Sequence, residues 1–116
     1  MAWGDDTTNA VKEGINDGSF NTDRIISTLG SGDYAALVAA NYNGGGYGDW
    51  YLPSKEELAL MYENLHLSDL GGFASGSYWS SSEASSGFAW GQDFNDGVQF
   101  ENGKDDPSRV RAVRAF

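Results

Sequence analysis

The sequence predicts one α+β domain, helices first and a small antiparallel sheet second, and three observations predict it. A capped amphipathic stretch begins at Ser54, short alternating segments separated by turn residues follow Gly71-Gly72, and sixteen Gly stand against two Pro. Helical periodicity ahead of strand periodicity is the α+β order, and so much glycine calls for tight turns and long loops rather than long helices. The length of 116 residues suits one domain over residues 1–116, and 40% apolar with 14% aromatic residues can fill its core.

Residues 1–20 show little apolar periodicity and a turn signal at Asn16-Asp17-Gly18, so they read as mostly irregular. From Thr22 a helical pattern sets Ile25, Ile26 and Leu29 on one face. Gly30-Ser31-Gly32 interrupts it, and Asp33 restarts a run through Tyr34, Leu37 and Val38, giving one broken helix or two short ones. Asn43-Gly44-Gly45-Gly46-Tyr47-Gly48 is a flexible stretch leading into an extended piece, Asp49-Trp50-Tyr51-Leu52-Pro53. Ser54 with Glu57 forms a capping box, and Leu58, Met61, Tyr62 and Leu65 follow as one apolar stripe. Strands are expected at 77–81, 88–94, 98–101 and 110–116. In the second, Phe88, Trp90 and Phe94 share one face and Ala89, Gly91 and Asp93 the other, and Asn95-Asp96-Gly97 turns it into the third as a hairpin.

Charge and missing residue types exclude several functions. Seventeen acidic against seven basic residues give a formal charge of -10, which repels nucleic acid, anionic lipid and sulfated polysaccharide. Without Cys there is no thiolate nucleophile and no zinc-thiolate site. No window approaches the roughly 18 apolar residues of a membrane span, so no membrane insertion is expected. The single histidine, His66, ends the capped helix and leaves the hydroxyl run Ser80-Ser81-Ser82 without a credible base, so the chain reads as non-catalytic. The adjacent pairs Glu56-Glu57 and Asp105-Asp106 diverge rather than face one substrate.

Binding chemistry is sought instead in the loops between residues 75 and 108. Trp90 or Phe100 would offer a stacking platform, with Ser81, Asn95 and Asn102 supplying hydrogen bonds. Tyr42, Tyr47, Tyr51 and Phe88 join them as aromatics beyond the needs of one small core. Asp93, Asp96 and Asp105 are oxygen ligands of the kind calcium takes, although the spacing is not that of an EF-hand and the same residues make good turns. Arg109, Arg111 and Arg114 crowd the end of the chain, where structural pairing with Asp49, Glu83 or Asp93 is favoured over ligand contact.

Four motifs in order carry a resemblance: the run from Gly45 through Asp49-Trp50-Tyr51-Leu52-Pro53-Ser54 to Leu58, then Gly72-Phe73-Ala74, Tyr78-Trp79-Ser80-Ser81-Ser82-Glu83 with Ala89-Trp90, and the ending from Val110 to Phe116. From Trp3 to Phe116 the chain resembles the bacterial family typified by the C-terminal domain of the Legionella collagen-like (Lcl) adhesin. The resemblance implies a C-type-lectin-like fold, two helical segments followed by a small twisted antiparallel sheet with long loops. It is shared distantly with formylglycine-generating enzymes, whose cysteines this chain lacks, and with retroelement-diversified receptor-binding tips.

The resemblance also implies an extracellular setting at the end of a larger cell-surface or phage tail-fibre assembly. A homo-oligomer, with a trimer favoured, and recognition of a cell-surface glycan or protein receptor go with it. The alternative it leaves is a structural domain that caps or trimerises a fibre. The sulfated polymers bound by the family's namesake are not carried over to a chain at -10. Relatives carry a further strand-forming segment before the position of Trp3, so the last strand is expected to expose an edge.

Overall fold

The computed structural model describes residues 1–4 and 7–114. Among them, α1 (Asp17–Leu29), α2 (Ala35–Asn41) and α3 (Lys55–Asn64) precede an antiparallel sheet of β1 (Ser77–Glu83), β2 (Phe88–Asp93) and β3 (Gln99–Gly103) in the order β1-β2-β3. This is the expected α+β arrangement.

The break at Gly30 yields two helices, with Gly30 at φ 70 and its amide bonded to the Ile26 carbonyl. Helix α1, however, starts five residues before the first periodic position, inside the segment read as irregular. Its free amides find a distant acceptor: the Glu57 carboxylate takes the amides of Asn16 at 3.2 Å and Gly18 at 3.0 Å. The same carboxylate takes the Ser54 amide at 2.9 Å while the Ser54 hydroxyl oxygen accepts from Glu57 N, closing the predicted capping box of α3. One glutamate thus caps two helices. Gly18 is obligatory there, because a Cβ would stand 2.7 Å from the Leu52 carbonyl oxygen.

Strand register sorts the core. Trp90 lies opposite Glu101 and Gly91 opposite Phe100, and directly opposed residues share a face. One face therefore carries Trp79, Ala89, Gly91, Phe100 and Asn102, and the other Tyr78, Trp90, Gln92, Gln99 and Glu101. Trp79 and Ala89 join Trp3, Ile25 and the alanines of α2 in one apolar cluster, while Tyr78 joins Leu58, Met61 and Phe94 in a second beneath α3. The predicted stripe of α3 fades along its length: Leu58 and Met61 are buried, and Leu65 is exposed.

The fourth strand, expected over 110–116, does not form in residues 110–114; Ala115 and Phe116 lie outside the described residues. Two isolated bridges replace it, Arg109 with Tyr78 and Val113 with Tyr51. The reason is competition along the outer edge of β1, whose amides are taken by three different segments: Trp79 N by the Arg109 carbonyl, Ser81 N by Pro53 and Glu83 N by Ala10. Of the run expected to expose an edge, Val113 exchanges backbone hydrogen bonds with Tyr51, while the preceding Ser108 and Arg109 bond to Met1, Ser77 and Trp79.

At the far end of β1, Glu83 is buried and accepts from Lys104 Nζ at 2.6 Å, Thr8 N at 2.8 Å and Asn9 N at 3.1 Å. Lys104 also lies over the Trp3 ring, 4.7 Å from its centroid. Glu83 therefore pairs with a buried lysine, not with one of the three terminal arginines.

Candidate ligand groove

The chain leaves α2 at Tyr42 and reverses through Gly45 and Gly46, both at positive φ, before Tyr47. This conformation is open to glycine at no steric cost. The turn swings Tyr47 out to 51% exposure, equal to that of Tyr42, and brings Trp50 back against Tyr42 edge to face at 4.9 Å. These rings form one wall of a groove of about 770 Å³. Met61 of α3, Leu65 just after it, Phe73 from the following loop and the segment 110–114 complete the lining.

Arg114 fixes the mouth of the groove. Its Nε donates to Asp49 Oδ1 at 2.7 Å and its Nη2 to Oδ2 at 3.0 Å, while the guanidinium carbon sits 3.6 Å from the Tyr47 ring centroid. This planar fork is the expected use of an arginine from the chain end. The hydrogen bonds from Arg114 hold the Asp49 carboxyl below the usual carboxylate range, and the guanidinium is raised in turn. Arg111 lies 4.5 Å from the centroid of Phe73 and makes no ion pair with a described carboxylate. In the wall itself, the Trp50 indole N–H is buried with no acceptor among the described residues. Native structures leave few such groups unmet, which marks this wall as unusual.

The residues singled out between 75 and 108 are dispersed rather than brought together. Trp90 and Phe100, the alternative stacking platforms, sit on opposite faces of the sheet. The Trp90 ring is covered by the Lys55 ammonium at 3.6 Å. Ser81 is fully buried, its amide on Pro53 O and its hydroxyl beside Asn21 Nδ2. Asn95 is exposed in the turn, and Asn102 donates to Ser108 Oγ. Asp93 and Asp96 accept the amides of Asn95 and Val98 as turn formers, and Asp105 is exposed. Among the described residues no three His, Cys, Asp or Glu gather closely enough to hold a metal ion.

Of the surplus aromatics, Tyr42, Tyr47 and Phe88 are exposed and Tyr51 is buried. The groove was missed because its lining runs from Val38 to Arg114. The available signal was the alternation of aromatics with glycine and aspartate between Tyr42 and Trp50.

The model of the Lcl C-terminal domain matches residues 3–114. The chain belongs to the Lcl C-terminal domain family. A search of curated proteins gave no match. Membership associates this Lcl C-terminal domain with collagen-like adhesins and accounts for the shared motifs. Its run from Gly45 to Leu58 supplies part of the groove wall and then the cap and first turn of α3. Among the described residues of this Lcl domain no helix is long and apolar enough to cross a membrane.

Proposed function

We propose that this domain is a non-catalytic recognition module of a surface-displayed, adhesin-type assembly, and that its ligand sits in the groove between Tyr42, Tyr47, Trp50 and Phe73. The observation that carries the reading is the groove itself: two half-exposed tyrosines, a tryptophan with an unmet N–H and two arginines converge on one concavity. Aromatic walls provide large contact area at small entropic cost, and concave apolar sites with a few polar groups are where ligands bind. A non-catalytic role is consistent with His66, whose imidazole packs among the rings of Tyr62, Phe73 and Phe94. Weak single-site binding would be offset by display in several copies.

The test compares two exposed aromatics in a multivalent form of the chain, applied to cell surfaces and to glycan and receptor-protein arrays. Tyr47→Ala should cut binding about tenfold, the factor given by about 1.4 kcal/mol of lost contact. Phe88→Ala, equally exposed but outside the groove, should leave it unchanged. Equal loss in both, or in neither, contradicts the assignment.

A fibre-capping role is favoured by one observation, the exposed Leu67 and Leu70 just beyond the groove residue Leu65. If that reading holds, the chain sediments as a stable oligomer and Leu67→Asp dissociates it.

A further inference from the structure

Three of the seven cationic side chains fall within residues 109–114, and two of these, Arg111 and Arg114, line the groove. The two are in different states. Arg114 has its fork occupied by Asp49, whereas Arg111 is laid on Phe73 with no described carboxylate to pair with. A guanidinium resting on a ring face is already positioned, and its N–H edge stays open to an acceptor. The lining also has an apolar part, Val38, Met61, Leu65, Val110 and Val113, whose side chains cannot hydrogen-bond, beside the polar tips of Tyr42, Tyr47 and Trp50.

We propose that the groove takes a short acidic peptide segment, in which a large apolar side chain enters between Trp50 and Phe73 and one neighbouring carboxylate is held by Arg111. This rests on the groove being the ligand site. The apolar part of the lining favours a peptide over a sugar, because sugar hydroxyls pressed against valine, leucine and methionine would lose water without gaining partners, whereas an apolar side chain fits there and leaves Tyr42, Tyr47 and Trp50 to meet peptide backbone groups. The volume of about 770 Å³ lies within the range of about 300–1,000 Å³ usual for small-ligand sites, enough for a few side chains. Charge sets the limit on acidity. A chain at -10 repels a polyanion at a distance, while a single carboxylate in contact with Arg111 lies well inside the Debye length of about 8 Å and feels chiefly that guanidinium.

The full chain, labelled with ¹⁵N, is titrated with acetyl-Phe-Leu-Asp-amide, with acetyl-Phe-Leu-Asn-amide and with a neutral cello-oligosaccharide. The expected result is movement of the Tyr47, Phe73 and Arg111 amides and the Trp50 indole signal, with the Asp peptide about tenfold tighter than the Asn peptide, or about 1.4 kcal/mol. Arg111→Gln should erase that preference, and Arg109→Gln, which lies outside the groove, should keep it. Arg111→Lys retains the charge and should preserve part of the preference, which covers a Gln variant that fails to fold. Groove signals that move equally for both peptides overturn the carboxylate selection and leave the groove as the ligand site. Movement with the oligosaccharide alone overturns the peptide and also leaves the site. Silence of the groove signals with all three probes overturns both.

Discussion

Glu83 shows how much one residue can organise and how little of that is written locally. Its carboxylate gathers Lys104, Thr8 and Asn9, joining the start of the chain to the ends of β1 and β3 in a buried cluster. The sequence marks Glu83 as an acid in need of a base but not which base, because Lys104 meets it only through the register of two hairpins. Glu83→Gln keeps the shape and removes the charge that accepts from Lys104, Thr8 and Asn9. Breaking a buried pair from one side costs about 3–5 kcal/mol, a large share of a small domain's stability. Urea denaturation should show the midpoint falling accordingly. A variant as stable as the parent would mean that the buried Glu83 charge does not hold this cluster together.

At the scale of elements, legibility tracks the distance over which backbone groups are satisfied. Helix α3 was legible to the residue because Ser54 and Glu57 cap it from within. The start of α1 was not, since its amides depend on a carboxylate 39 positions later. A run rich in Val, Arg and Ala has strand composition, yet on β1 only Arg109 finds a bridge, the next amides being taken by Pro53 and Ala10, and Val113 bridges to Tyr51 instead. The double duty of Glu57 makes a quantitative prediction. Loss of an ordinary cap costs about 1 kcal/mol, so Glu57→Ala, which uncaps α1 and α3 together, should cost about 2 kcal/mol by chemical denaturation. Hydrogen exchange should quicken at the Asn16, Gly18 and Ser54 amides alike. Faster exchange confined to Ser54 would show that α1 does not rely on Glu57.

Over the whole molecule, the sequence carried the fold class, the order of elements and the family, but not the groove. Trp90 and Phe100 stand out in the sequence as surplus aromatics, but only the register of β2 with β3 shows that they lie on opposite faces. The groove needs Tyr42, Trp50, Phe73 and Arg111 from four parts of the chain to meet, which no local pattern encodes. Its charge follows the same logic, since an acidic molecule keeps two of its few arginines at a single concavity.

The absence of native cysteine permits the most direct measurement, blocking the groove covalently. Val38→Cys places a thiol on the groove lining and Val98→Cys places one outside it, both at exposed positions. Coupling each to a bulky maleimide and measuring cell-surface binding in multivalent form should abolish binding for the label at position 38 and preserve it for the label at position 98, with both unlabelled variants active. Undiminished binding with position 38 fully labelled would contradict the account.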